Sequence, residues 1–310
     1  MLDILAIGDA IVDKIISFDE KDPVMQSILS VKGLFFVASK EEHAYLREKE
    51  TLSYYAGGSV ANTVRSMSLM GFKTGFIGKA GDDLDGSYFE KSLSDYCVAS
   101  YLLKTKKDKT GCSVVMVHSD KDRTQCARPC ASLLLTADEV KDDYLKSTKS
   151  VMLEGYMISR LPKLVEDVIL RAKKLGVKVY FTLSDVHCVE GQKELIIRLL
   201  SHIDILFGNE HEFEVLNLTP DMLKNTLCVK TCGDKGVCVF DFKEDVFFEN
   251  KPVSSIVNTN GAGDAFAAGF LCAYMQNKPI KECVLCGHET AAIVLKTDLS
   301  YLPKDFVKKS

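Results

Sequence analysis

Ser150-Val151-Met152-Leu153-Glu154 is a short strand-like run with an apolar middle, and the chain after it keeps a regular beat. Residues 161–175 carry apolar side chains at helical spacing, and 177–183 form a second short run rich in β-branched and aromatic residues. A further helical pattern follows over 189–200, then a third run over 203–207. Strands alternating with helices at this spacing predict a parallel sheet covered on both faces. Upstream, residues 2–8 read as a buried strand ending at Gly8-Asp9, with a helix over 60–70 closed by Gly71 and a strand over 73–78. Further helices are expected within 82–96 and near 137–145, and residues 39–50 read as a solvated helix.

Two segments break the beat. Lys14–Phe18 and Val31–Ala38 are strand-like and aromatic, and Val114–Val117 is the clearest strand between residues 98 and 130. Lys104, Lys106, Lys107 and Lys109 read as the tip of a hairpin. These interruptions are expected to meet as a small separate sheet. The predicted organisation is therefore an α/β core from 1–13, 39–97 and 131–310, with a β-sheet lid from 14–38 and 98–130.

The totals suit such a chain. With 310 residues, 46% hydrophobic and 26% charged, it can bury a sizeable core as a globular protein. A net charge of −4 argues against nucleic acid or an anionic membrane as the main partner. No stretch has the length and apolarity of a bilayer span, and the N-terminal apolar run has the length of a strand, without a basic leader. The eleven cysteines are irregularly spaced and mostly in apolar runs, which reads as buried thiols in a reducing, cytoplasmic setting. Cys283-Val284-Leu285-Cys286 has no second cysteine or histidine pair to complete a metal site and reads as helix packing.

The chemistry concentrates in Asn258-Thr259-Asn260-Gly261-Ala262-Gly263-Asp264, which runs into the apolar Ala265-Phe266-Ala267-Ala268-Gly269-Phe270. The glycines allow an anion to approach the backbone closely, and Thr259 or Asn260 suits an N-cap. The first amides of the helix lack intrahelical partners and carry the positive end of its dipole. Asp264 falls in the first turn, where the dipole favours its carboxylate. Elsewhere, Ala56-Gly57-Gly58-Ser59-Val60-Ala61-Asn62 opens a helix with a glycine pair, and Asn62 can donate to and accept from a hydroxyl. Asn209-Glu210-His211-Glu212 ends a predicted parallel strand, where ligands of open α/β sheets lie. His211 lacks a second histidine at ligand spacing. Val229-Lys230-Thr231-Cys232-Gly233-Asp234-Lys235-Gly236 is a strand followed by a glycine-bounded turn. The sequence contains neither a Gly-x-x-x-x-Gly-Lys-Ser/Thr loop nor a Gly-x-Gly-x-x-Gly after its first strand, which speaks against a P-loop kinase and a dinucleotide dehydrogenase.

The Gly-Ala-Gly-Asp loop resembles the Asp-Thr-x-Gly-Ala-Gly-Asp signature of the ribokinase-like, or PfkB, carbohydrate kinases, and the Gly57-Gly58…Asn62 block resembles that family's first signature. Gly81-Asp82-Asp83-x-Asp85-Gly86 is similar to a third block, a structural turn. The likeness runs from about residue 4 to residue 295. It implies a three-layer α/β/α core with a mostly parallel sheet, plus a small β-sheet lid. It implies ATP-dependent transfer to a primary hydroxyl, with Asp264 as general base and the amides of Gly261, Ala262 and Gly263 as the anion hole. Asp13, Gly57, Gly58 and Asn62 would hold the sugar hydroxyls. Asn209 and Glu212 would organise Mg²⁺ through water. Thr231, Gly233 and Gly236 would lie near the ATP phosphates and ribose, with His288 in the helix that closes over the adenine.

Lys32-Gly33-Leu34-Phe35-Phe36-Val37 and Leu153-Glu154-Gly155-Tyr156 look most like adenosine-kinase-type members, so a nucleoside, adenosine above all, is the expected substrate. Phe18, Leu34, Phe35 and Phe36 would then form the slot for the base. The alternative is a sugar or sugar-phosphate kinase, its phosphate met by the lid lysines with Arg123 or Arg128. A non-catalytic relative is the third reading. Asn258 departs from the family's leading Asp, beside the place where a weak K⁺ site would lie. The expected assembly is a monomer, or a homodimer paired through an open face of the lid.

Overall fold

The computed structural model describes residues 1–27, 35–36, 39–119 and 123–306, with only the backbone of Phe35, Phe36 and Arg123. The chain opens with strands β1 (Ile4–Ile7) and β2 (Ile11–Ser17), helix α1 (Pro23–Ser27) and strand β3 (Phe35–Phe36). Next come α2 (Lys40–Arg47), β4 (Ser53–Ala56), α3 (Ser59–Leu69), β5 (Thr74–Gly81), α4 (Leu84–Asp95) and β6 (Ala99–Thr105). Strands β7 (Thr110–Val117) and β8 (Arg123–Cys130) precede α5 (Asp142–Lys146), β9 (Ser150–Glu154), α6 (Gly155–Arg160) and α7 (Pro162–Lys174). The remainder is β10 (Lys178–Thr182), α8 (Val186–Leu199), β11 (Ile205–Asn209), α9 (Glu210–Leu216), β12 (Leu227–Thr231), β13 (Gly236–Phe240), β14 (Asp245–Glu249), α10 (Ala262–Met275) and α11 (Ile280–Val294).

The larger sheet has nine strands in the order β14-β13-β12-β11-β10-β9-β1-β5-β6. From β12 to β6 every pairing is parallel, and β13 and β14 add an antiparallel edge. Successive side chains of a strand point to opposite faces, so β1 divides itself between two cores. Ile4 and Ala6 join Val60, Val64, Phe89, Phe266 and Phe270 from α3, α4 and α10. Leu5 and Ile7 join Leu164, Val168, Val189 and Leu199 from α7 and α8. Covering both faces excludes water from the ladder, which is why these strands read as continuous apolar runs. Helix α7 carries Pro162 at its start and Arg171, Lys173 and Lys174 in its last turn, as its geometry and dipole favour.

The smaller sheet runs β3-β8-β7-β2-β4. Its outer face has its own core of Val12, Ile16, Met25, Leu46, Val114, Met116 and Cys126, with Met25 supplied by α1 and Leu46 by α2. That face is thus occupied by the chain's own helices. Two details correct the sequence reading. Strand β4 and helix α2 belong with the lid although residues 39–97 read as core, and β6 is the edge of the large sheet although 98–130 read as lid. The lysines at 104–109 therefore lie where the chain passes from one sheet to the other, not at a hairpin tip. Strand β3 is short, and Leu34 with the remainder of the 31–34 and 37–38 run lies outside the described residues. Among the described residues no helix is long and apolar enough to cross a membrane, and no disulfide joins any of the cysteines.

Candidate active site

The strands β1, β9, β10, β11 and β12 are parallel, so their carboxyl ends open on one side of the sheet. There they deliver Asp9, Glu154, Thr182, Asn209 and Thr231 to the wall of a cavity of about 360 Å³. The lid closes the opposite wall with Ile11, Asp13, Ser113, Gln125 and Ala127. Helices α3 and α10 bring Ser59, Asn62 and Asp264, which places the catalytic candidate among the sugar-binding candidates.

The loop before α10 needs glycine. Gly261 has φ +75°, and a β-carbon there would sit 2.1 Å from the backbone oxygen of Ser300. The amides of Gly261 and Gly263 have no partner among the described residues, whereas Ala262 N–H donates to Thr259 O at 3.3 Å. Asp264 follows in the first turn and accepts from Ser59 Oγ at 2.6 Å and Asn62 Nδ2 at 3.0 Å. Burial pushes its pKa up to about 6, while the bonds from Ser59 and Asn62 restrain the rise. This is a carboxylate held by two donors beside two unpartnered amides.

Asp13 lies on β2 opposite Tyr55 and Ser113. Burial pushes it up to about 7, partly offset by the charge of Arg65 and reinforced by that of Asp264. Gly57 is required by this packing, because a β-carbon there would lie 2.4 Å from Asp13 Oδ2. Gly57 thus stands behind Asp13 rather than on the cavity wall, whereas Gly58 lines it. Asn62 differs from expectation: one amide N–H is given to Asp264 and its oxygen accepts from Arg65 Nη1 at 3.2 Å. One N–H and one lone pair remain for a ligand.

Asn209 and Glu212 form a capping box on α9, with Asn209 Oδ1 accepting from Glu212 N at 2.9 Å and Glu212 accepting from Asn209 N at 2.8 Å. Asn209 Nδ2 adds a further bond to Glu212 at 2.8 Å. Burial raises Glu212 to about 7. Thr231 lines the same cavity, but Ala262, Gly233, Gly236 and His288 do not. Gly236 instead allows β13 to pass Phe248, whose carbonyl would be 2.1 Å from a β-carbon. The His288 ring lies behind the wall, 5.5 Å from that of Phe266. His211 is exposed and pairs with Glu214. Of the expected base slot, Phe18 stacks on His118 at 4.2 Å and packs against the lid's own core; the side chains of Phe35 and Phe36 lie outside the described residues.

Sequence reasoning did not assign Asp9, Glu154 or Arg160 to the site. Glu154 accepts from Asp9 N at 2.8 Å and Val60 N at 3.0 Å, tying the ends of β1 and β9 to the start of α3. Arg160 pairs with Asp9 at 2.7 Å. Burial pushes both carboxyls up, and Arg160 opposes the rise at Asp9. A carboxylate closing a fully buried parallel strand, as Glu154 does, was the available signal.

Comparison with known proteins agrees with this arrangement. The model of the pfkB family carbohydrate kinase matches residues 25–305. A 5-dehydro-2-deoxygluconokinase of Geobacillus thermodenitrificans is 26% identical over 318 residues, covering 91% of this chain and 90% of its own. An adenosine kinase from Sinorhizobium meliloti aligns in structure with a TM-score of 0.85 at 26% identity, covering 97% of this chain and 95% of its own. A probable sugar kinase from Rhizobium etli gives 0.85 at 25% identity, with the same coverage of 97% and 95%. With the family model spanning most of its length, the chain belongs to the pfkB family of carbohydrate kinases, and it is an ATP-dependent phosphotransferase of the sugar and nucleoside class.

Proposed function

We propose that this enzyme phosphorylates the primary hydroxyl of a sugar-sized polyol, with Asp264 as general base. The observation that carries this is the Asp264 carboxylate, fixed by Ser59 and Asn62 beside the unpartnered amides of Gly261 and Gly263. Asp264 takes the proton as the hydroxyl attacks. The amides meet the charge on the transferred phosphoryl group, where a low-dielectric site strengthens them. Asp13, backed by Gly57, and the spare N–H of Asn62 orient the remaining hydroxyls. The lid keeps water from the reacting atoms.

The donor set beside the anion hole suits a hydrated Mg²⁺ rather than a caged one. Among the described residues no group of three His, Cys, Asp or Glu side chains could hold a metal. Glu212 and Asn209 have lone pairs left beyond their mutual bonds and would hold the ion's waters. The ion, when bound, neutralises phosphate charge.

The sugar reading rests on the lid. Over the cavity it presents Ser113 and Gln125, bonded to each other at 2.7 Å, while Phe18 is used elsewhere. The Geobacillus relative is named as a 5-dehydro-2-deoxygluconokinase, which favours an acceptor of the sugar-acid class. A nucleoside is the second reading, favoured by the likeness to the Sinorhizobium adenosine kinase and by β3 beside Gln125 at the lid edge. ADP release measured with Mg-ATP over pentoses, hexoses, sugar acids and nucleosides tests this. Saturable release with a sugar or sugar acid is expected. Release with nucleosides alone would replace the reading by the adenosine one, and release with none would contradict both.

Asn258 bears on cation dependence. Its Oδ1 accepts from Asn260 N at 3.0 Å and its Nδ2 donates to Asp298 O at 3.2 Å, so it ties the anion-hole loop without an ionic charge. Activity should change little when K⁺ is replaced by a bulky organic cation at constant ionic strength. Asn258→Asp should introduce saturable K⁺ activation, because a carboxylate supplies charge and only acceptors. A large K⁺ dependence in the wild type, unchanged in Asn258→Asp, would remove this side chain from cation binding.

A further inference from the structure

Arg65 is the only charged residue of α3, and it is completely buried. Its guanidinium lies between the rings of Phe89 and Tyr301, 5.0 Å and 4.9 Å from their centroids. Nη1 donates to Gly57 O at 3.1 Å and to Asn62 Oδ1 at 3.2 Å. Nε and Nη2 have no partner among the described residues. Desolvating a cation without a contact ion pair is costly, and a leucine or methionine would fill the same ring sandwich without that cost. Packing alone therefore does not account for arginine here.

We propose that Arg65 is a positioning residue for phosphoryl transfer: it locks the Asn62 amide as a donor to Asp264 and supplies the cation behind the Asp13 carboxylate. The inference rests on Asp264 being the base. Asparagine has two amide orientations of nearly equal shape. Here only one satisfies both neighbours, because the flipped amide would set its NH₂ against the guanidinium and its oxygen against the carboxylate. Protonation of Asp264 would remove half of that preference, since its O–H could then donate to a flipped Asn62; Arg65 opposes the flip and so opposes the protonated base.

The second role follows from the chain Arg65–Gly57–Asp13, since Gly57 gives its carbonyl to the guanidinium and its α-carbon to the Asp13 carboxylate. Around Asp13 stand Tyr55 on β4, Cys112 and Ser113 on β7, Asn62 and Arg65 on α3, and Asp264 on α10. Lys14, its neighbour on β2, is turned to the other face and donates to Arg47 O. Around Asp264 stand Ser59, Asn62 and Thr63 on α3, with the Asp13, Glu154 and Tyr156 groups acting across the cavity. Arg65 is the cation of the first set, facing a like-charged pair.

The test is steady-state kinetics of Arg65→Met and Arg65→Lys from pH 5 to 9, with thermal unfolding as a check on folding. In Arg65→Met the acid limb of kcat/KM for the acceptor should move up by about one pH unit or more, because Asp13 loses the opposite charge that restrains its rise. The deficit should be about tenfold near neutral pH and should shrink above pH 8, with KM for ATP unchanged. A deficit independent of pH would show a merely structural role and overturn the proposal. Arg65→Lys keeps a cation, and one ammonium can make both bonds that Nη1 makes, so its limb should stay in place and its kcat should stay within a few-fold of the wild type. A folded lysine variant whose limb moves up by a unit or more would overturn the proposal, also where Arg65→Met does not fold. Asp264→Asn run alongside separates the two levels: turnover surviving there defeats the base assignment, whereas its loss together with a pH-independent Arg65→Met deficit defeats the Arg65 inference alone.

Discussion

Asp264→Asn is expected to lower kcat by roughly 10²–10⁴, the range that a positioned general base contributes. Asparagine keeps the shape of the side chain and still accepts from Ser59 through its oxygen. It places an NH₂ where Asp264 Oδ2 meets the Asn62 amide, and it takes no proton at neutral pH. The loss should fall on kcat and kcat/KM together, since the interaction is made only as the hydroxyl proton moves. The pH profile adds a second signature. With Asp264 raised to about 6, the wild-type kcat should fall as pH drops through that value, because the base must be ionised to act. The residual turnover of Asp264→Asn should lack this limb. Near-normal turnover in the variant would take Asp264 out of the role.

Asp13→Asn is expected to raise KM for the acceptor by roughly one to two decades, as the loss of a charge-assisted hydrogen bond of about 1.5–3 kcal/mol implies. KM for ATP should stay near its wild-type value, because Asp13 stands on the lid strand β2 while Asn209 and Thr231 end β11 and β12 and Glu212 lies in the first turn of α9. The same substitution should alter stability with a definite sign. Asp13 is raised from 3.8 to about 7 by burial, so the folded protein holds its proton over a range where the unfolded chain has released it. Stability from this group is therefore greatest at low pH and is lost as pH rises from about 4 to about 7. Asparagine removes that loss. Asp13→Asn should unfold at a higher temperature than the wild type at pH 8, and the difference should shrink at pH 5. Equal differences at both pH values, or an unchanged KM, would contradict the assignment.

Much of the core was legible because parallel strands covered on both faces must be apolar in their interiors, as 151–153, 179–181 and 205–207 are. The Gly261-Ala262-Gly263-Asp264 loop was legible for a related reason: the positive φ at Gly261 and its contact with Ser300 exclude a side chain, so composition reports geometry. The lid boundary was harder. Ser53–Ala56 is short and only partly buried, and nothing local reveals that it pairs with β2. The lysines at 104–109 read as a hairpin tip, but a basic run does not say which strands it joins, and here it links β6 of one sheet to β7 of the other. Asn209 and Glu212 show the converse ambiguity, since their spacing serves a helix cap as well as a metal's waters. Asp9, Glu154 and Arg160 are far apart in sequence, and only the order of β1 and β9 brings them together. Phe18 was assigned to a base slot on aromatic character alone, and alternation along β2 sends its neighbours Val12 and Ile16 to the opposite face from Asp13.

The central claim is that the phosphoryl group passes to a primary hydroxyl facing Asp264. Proton-coupled ³¹P spectra of the product formed from Mg-ATP and the acceptor that saturates ADP release test it directly. A phosphate ester on a CH₂OH carbon couples to two protons and gives a triplet, which is the predicted result. A doublet from an ester on a secondary carbon, or inorganic phosphate as the sole product beside ADP, would contradict it.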